Sequence, residues 1–290
     1  MDRLVPGMAV LPAAGHRNCI ELNAGTKPAP KASRGVTYQA GALVPLVRWR
    51  KPNAQEREIL LAEDRGQHDS ERINVVKLPD ALLASFHEVR AASEDNRPMR
   101  ELLSLASTPG CRAGVAAVID HVKRRFQPTA APDQELRGGL SVRPARLQTV
   151  TVHPQSRELV GLHLDNWFRL PLRRRHEAPN RICLNVGCQD RYFLFLNLSV
   201  PRMYDAVRRF SGGQPDTMSV GSRFMTLFPS YPVVRLRIRP GEAYIAPTDN
   251  LIHDGSSCDM SAADLSLSLL GRFAPYPRRA ATCHALPSPD

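Results

Sequence analysis

His163-Leu164-Asp165, inside the run ELVGLHLDNWFRLP, sets an imidazole and a carboxylate two residues apart. In an extended chain alternate side chains share a face, so these two groups converge on one side of a sheet while Leu164 turns away into packing. A metal ion held there needs a third ligand. His253 is the candidate, because in RPGEAYIAPTDNLIHDGSS a Pro-Gly turn feeds a strand that ends at the histidine. Two histidines and one carboxylate on one face of an ion leave three positions open, the arrangement that suits non-haem Fe(II). Arg272 follows in LSLSLLGRF, nineteen residues after His253. Leu265, Leu267 and Leu269 alternate there with Ser266, Ser268 and Leu270, as in a half-buried strand. An arginine on its inner face offers a two-pronged fork to a carboxylate. Arg181 and Arg191, beside other β-prone runs, could provide that fork instead. Asn180, Tyr192 and Thr248 are further candidate contacts.

Elements that must position these groups are legible in outline. Residues 1–40 hold Pro, Ala, Gly and Lys in no periodic order and read as a flexible lead-in. Two apolar segments, 42–49 and 72–78, could be strands. Residues 79–127 read as helices. Leu82, Leu83, Phe86 and Val89 recur at helical spacing, a second segment opens at Pro98 and stops before Pro109, and a third carries Val115, Val118, Val122 and Phe126. After a loop rich in Pro and Gly (128–140) come short β-prone runs at 146–152, 159–165, 182–186, 192–198, 233–238, 242–246 and 265–273. Turn-formers separate them, the pattern of an antiparallel sandwich or barrel. Residues 203–229 interrupt the series with a helical piece and a polar loop, where a lid over the barrel mouth would be useful. The spacing therefore predicts helices first and a β-barrel second. One catalytic domain spans 41–278, with helical support at about 79–127, a β core at about 140–275 and a tail at 279–290.

The order HxD, distal histidine after a Pro-Gly turn and strand, then arginine on the last strand resembles the Fe(II)/2-oxoglutarate-dependent oxygenases over roughly residues 140–275. More narrowly, HLDNWFRLPL, NRICLNVG, RYFLFLNLSV and PGEAYIAPTDNLIHDGS look like bacterial stand-alone small-molecule hydroxylases. The resemblance implies a mainly β fold with supporting α-helices, its core a double-stranded β-helix (a jelly roll, cupin-like). It implies Fe(II) on His163, Asp165 and His253, with 2-oxoglutarate and O2 as co-substrates. Arg272 would hold the distal carboxylate of 2-oxoglutarate, with Arg181, Tyr192 and Thr248 as weaker candidates. The expected reaction is hydroxylation of an unactivated carbon in an amino acid, an amino acid derivative or a natural-product intermediate. Related halogenases carry Gly or Ala at the position of Asp165, so a carboxylate here argues for hydroxylation. Two other readings stay open: the same chemistry on a nucleic acid base or protein side chain, and a cupin-like metal protein that is not an oxygenase.

Composition bounds these readings. The chain has 290 residues, 42% hydrophobic and 23% charged, enough to bury a sizeable core. No run of eighteen uncharged apolar residues exists, which excludes a membrane-spanning helix. Six cysteines without a CxxC pair fit a reduced, cytoplasmic protein. A net charge of +11 would suit a nucleic-acid partner. Only five of the 39 basic residues are lysine, however, and none forms an aromatic-interleaved stripe, so a nucleic-acid partner is not expected. No GxSxG and no Cys/His arrangement supports a nucleophilic hydrolase.

Overall fold

A computed structural model of the chain describes residues 2–13, 19–61, 71–126, 136–217 and 219–273. The tail expected at 279–290 and most of the Pro- and Gly-rich loop lie outside the described residues. The N-terminal part carries β1 (Ala9–Leu11), β2 (Ile20–Leu22), β3 (Thr26–Pro28), β4 (Ala32–Ser33), β5 (Val36–Thr37), β6 (Leu43–Pro45) and α1 (Ala54–Leu60). Next come β7 (Arg72–Lys77), a 3-10 segment (Asp80–Phe86), α2 (His87–Glu94), α3 (Met99–Ala106) and α4 (Pro109–Phe126). The C-terminal half holds β8 (Arg137–Arg143), β9 (Asn180–Asn185), β10 (Arg191–Ser199), α5 (Val200–Ser211), α6 (Val220–Leu227), β11 (Val234–Ile238), β12 (Glu242–Ala246), β13 (Leu251–Ser256) and β14 (Asp264–Gly271). Helix and strand take comparable shares, so the chain is mixed, with several antiparallel sheets, where a mainly β fold was expected.

Two sheets organise the molecule. One has six strands in the order β1-β7-β12-β9-β14-β8, and the other four in the order β13-β10-β11-β2. All pairings within them are antiparallel except β1 with β7. Alternation decides what each face of the larger sheet meets. Ile182, Leu184, Ala243, Ile245, Leu265, Leu267 and Leu269 form one core with Phe86, Val89, Leu102, Val118, Val122 and Phe126 of the helical layer. Cys183 and Tyr244, on the opposite face, join the second core with Phe193, Phe195 and Ile252 of the smaller sheet. The helical layer thus sits where the apolar periodicity put it. α3 stops before Pro109 as expected, and α4 begins at Pro109 itself, whose missing N–H costs nothing in a first turn, while the Thr108 hydroxyl accepts the N–H of Cys111. No single helix among the described residues is long and apolar enough to cross a membrane.

The described residues of 1–40 include strands paired to the two sheets, where a flexible lead-in was expected. β1 pairs with β7 at the edge of the larger sheet and β2 with β11 at the edge of the smaller one. Met8, Val10 and Leu22 are fully buried, and the Met8 N–H donates to the Asn197 carbonyl at 2.7 Å. Their strands are three residues long, too short for periodicity to show, and their partners lie far along the chain. Met8→Ala is therefore expected to lower stability by about 2–5 kcal/mol, as at other fully buried sites. A denaturant midpoint unchanged from wild type would remove this segment from the core.

Candidate metal centre

The chain between β8 and β9 forms no regular strand. The runs at 146–152 and 159–165, expected as strands, make isolated bridges only, and one of these joins His163 to His253. The two residues exchange both main-chain hydrogen bonds, His163 N–H to His253 O at 3.1 Å and His253 N–H to His163 O at 2.8 Å. That exchange places the side chains on one face, with ring centroids 4.7 Å apart. The strand expected to end at His253 in fact breaks at residues 247–250, and His253 lies within β13. The turn is used: Thr248 O accepts the Asp165 N–H at 3.2 Å and fixes the third group. Leu164 points away, packed against the second core.

His163, Asp165 and His253 each offer a ligand atom, and these atoms lie within 4.8 Å of one another. His163 Nε2 stands 3.7 Å from Asp165 Oδ1, and His253 Nε2 stands 3.6 Å from Asp165 Oδ2. Both separations exceed hydrogen-bond length, so the three groups face a common point rather than one another. Ligands of one small ion, each about 2.1 Å from it, lie roughly 3 Å apart, close to what is seen here. The far side of each ring is fixed as well. His163 Nδ1 meets Gly161 O at 2.8 Å, and His253 Nδ1 meets Leu251 O at 3.2 Å. A carbonyl only accepts, so each Nδ1 carries hydrogen and each Nε2 faces the shared point, where the neutral ring presents its lone pair. The donor set fits a divalent metal ion.

Electrostatics divides the two imidazoles. Burial pulls the pKa of His163 down, but the nearby carboxylates of Asp165 and Asp254 outweigh it and raise the value to about 10. Burial lowers His253 to about 4, with the charges of His163 and Arg181 adding to the effect against Asp165. Burial opposes ionisation of Asp165, yet His253, His163 and Arg181 hold it well below the usual carboxylate range. Asp254, next to His253, collects the N–H groups of Val150, Thr151 and Gly255 on one oxygen. Its other oxygen lies 3.6 Å from His163 Nδ1.

The three groups open into a cavity of about 230 Å³. Its walls carry three arginines. Arg181 donates through Nη2 to Asp165 Oδ2 at 2.7 Å. Arg191, almost wholly buried, forks onto Asp264 with Nε–Oδ1 2.9 Å and Nη2–Oδ2 3.2 Å, and reaches Cys183 Sγ at 3.1 Å through Nη1. Arg143 donates Nε and Nη1 to the carbonyls of Val150 and Val142 and forms no ion pair among the described residues. Ser141, Ser266, Ser268 and Tyr244 add hydroxyls to the same walls, and Trp167 stands at the rim. Gly255 is required here: a Cβ would lie 2.7 Å from Arg191 Nη2 and 2.8 Å from Val150 Cγ2. A second cavity of about 230 Å³, bounded by residues 39–43 and by Gly221 and Met225 of α6, also reaches His163.

The other expected contacts fall elsewhere. Arg272 is exposed, beyond the last residue of β14, and does not line the cavity. Its parity with Ser266 and Ser268 matched the inner face, but the sheet ends one residue earlier. There Asn180 ties both the N–H and the carbonyl of Phe273 to its own side chain. Asn180 is thus a strand-end fastener. Tyr192 lies under the Arg235 guanidinium, 4.2 Å away, and is absent from the cavity wall. Thr248 contributes its carbonyl, while its buried hydroxyl makes no hydrogen bond among the described residues. Of the arginine candidates, Arg181 and Arg191 line the cavity; Arg143, Ser266, Ser268 and Gly255 were not anticipated as site residues. The stretch at 203–229, expected as a lid, is largely α5 and α6, whose Met203, Val207, Val220 and Phe224 are fully buried. It is a wall of the molecule. Set against known protein families, curated proteins and solved structures, the chain matches none of them.

An ion entering this site must displace the His163 proton, since the raised pKa keeps that ring charged at pH 7 and a ligand must be neutral. His253 is already neutral there. Calorimetry with Co(II) in two buffers of different ionisation heat should report about one proton released per ion at pH 7. Affinity should rise with pH by up to about tenfold per unit below pH 10. Proton release near zero would contradict this assignment. Gly255→Ala should displace Arg191 and lower the melting temperature while leaving Co(II) stoichiometry at one.

Proposed function

We propose that the protein is an Fe(II)-dependent oxygenase using 2-oxoglutarate and O2 to hydroxylate a small molecule. The observation that carries this reading is the convergence of two imidazole Nε2 atoms and one carboxylate at the end of a polar cavity walled by arginines. Two histidines and one carboxylate suit non-haem Fe(II), because they leave coordination positions for a keto acid and O2. Bound iron would supply the redox chemistry that O2 activation requires.

Topology supports a double-stranded β-helix, or jelly roll, around the site. β8, β9, β12 and β14 lie in one sheet and β10, β11 and β13 in the other, so the chain crosses repeatedly between facing layers. The His163 bridge to β13 stands where a further strand of the smaller sheet would lie.

Each remaining task falls to residues of this chain. His163, Asp165 and His253 would hold the metal, and Arg181 orients the Asp165 carboxylate through its 2.7 Å hydrogen bond. Arg191, rather than Arg272, would receive the distal carboxylate of the keto acid. It lies against Gly255, two residues past His253 along β13, and Asp264 holds its fork in place. Arg143, without an ion pair among the described residues, adds a second cation to that end of the cavity. Val150, Val152 and Trp167 wall the chamber and limit water around the metal. The expected substrate remains a small molecule.

Anaerobic titration with Fe(II) and then 2-oxoglutarate tests this reading. The weak visible charge-transfer band of a chelated keto acid should appear in the wild type and vanish in Asp165→Ala. Arg191→Lys should weaken 2-oxoglutarate binding by about tenfold or more, as for loss of a charge-assisted fork. Arg272→Ala should leave binding unchanged. Folded protein that takes up metal yet gives no band would point to a cupin-like metal protein instead.

A further inference from the structure

We infer that the molecule acted on at this site is an aromatic acid, its ring seated on Trp167 and its anionic group on Arg181. The assignment rests on the metal-centre reading for the word substrate, although the binding surface stands on its own geometry.

Five large hydrophobic side chains are exposed among the described residues, and two of them, Trp167 at 62% and Phe168 at 41%, are neighbours just after Asp165. Trp167 also lines the cavity. An indole left in water beside a cavity gains from being covered, and flat rings cover it with the best geometry. The segment that presents it is pinned at both ends. Asp165 N–H donates to Thr248 O at 3.2 Å, and Phe168 N–H to Asp249 Oδ2 at 3.4 Å. A ligand would therefore meet an indole on an anchored backbone, which lowers the ordering cost.

Arg181 provides the second contact. Of the cavity's cations, Arg191 is 3% exposed and forked onto Asp264, and it belongs to the end of the cavity assigned to the keto acid. Arg181 is 22% exposed, uses only Nη2 on Asp165, and its buried Nε has no hydrogen-bond partner. A cation with donors to spare, beside a candidate metal ligand and more exposed than Arg191, selects an anionic group. Asp165, hydrogen-bonded to Arg181 and two residues from Trp167, links the two contacts, so ring and anion would flank the reactive point.

Trp49 and Trp167 are the only tryptophans. In a Trp49→Phe background the emission therefore reports Trp167 alone. The probes are phenylacetate, 3-phenylpropionate, cyclohexylacetate and 2-phenylethanol, titrated against Co(II)-loaded protein. Saturable change with the phenyl acids, about three- to tenfold tighter than cyclohexylacetate and about tenfold tighter than 2-phenylethanol, is the expected result. Arg181→Gln should abolish the preference for acid over alcohol, and Arg181→Lys should retain part of it. Trp167→Ala, at an exposed position, should fold normally and lose the phenyl preference by calorimetry. Equal binding of all four probes, or no saturable binding, overturns the proposal. The keto-acid band, measured on the same protein, separates the two ideas. Aromatic-acid binding without the band upholds this surface and removes the oxygenase reading. The band without aromatic-acid binding does the reverse.

Discussion

The reciprocal main-chain pair between His163 and His253 is the constraint on which the site depends. The chain from Pro144 to Pro171 has no ladder of its own, so two hydrogen bonds to β13 set where His163 stands. β13 is reliable because β10 pairs along it, with His253 directly opposite Phe195. A strand inside a packed sheet thus lends its rigidity to an irregular segment. Asp165 is then fixed two residues on, by the carbonyl of Thr248. Distances between the ligand atoms follow from these main-chain contacts, with each ring turned by its own carbonyl partner.

Burying such a set is costly unless the charges answer one another. The arrangement meets that cost in stages. One imidazole is held charged between Asp165 and Asp254, the other neutral, and Asp165 is ionised with Arg181 against it. Behind them Arg191 and Asp264 form a second, enclosed pair. Removing a single partner from either group would leave a buried charge unanswered, which is far worse than losing both. Gly255 belongs to the same design, since the space of its missing Cβ is where Arg191 and Val150 meet.

Much of the site was legible in the sequence, and the reason is local. Parity places His163 and Asp165 together whether or not a long strand forms, because even a single bridge keeps the alternation. The leucines of β14 face the helices for the same reason, and the amphipathic run of 79–126 needs only its own periodicity. What failed were features set by distant contacts. Arg272 has the right parity, but the strand stops at Gly271 because Asn180, some ninety residues earlier, fastens Phe273. The N-terminal strands are three residues long and exist through β7 and β11, with no pattern of their own. β8 contains Gly138-Gly139 and reads as a loop, yet β14 pairs along its whole length.

Charge shows why location outweighs total. Several of the chain's arginines are committed in place: Arg50 to Glu56, Arg174 to Glu177, and Arg235 to Glu21 and Asp259 between the rings of Trp49 and Tyr192. Such arginines neither attract a polyanion strongly nor select a ligand. At the cavity the balance differs, since Arg143, Arg181 and Arg191 face only Asp165 and Asp264 among their ion-pair partners. With three arginines against two carboxylates, and hydroxyls between them, the chamber has cationic charge to spare and favours an anionic ligand. The proposed keto acid at Arg191 and the proposed aromatic acid at Arg181 would each bring a negative group to that excess, on either side of the His163, Asp165 and His253 cluster.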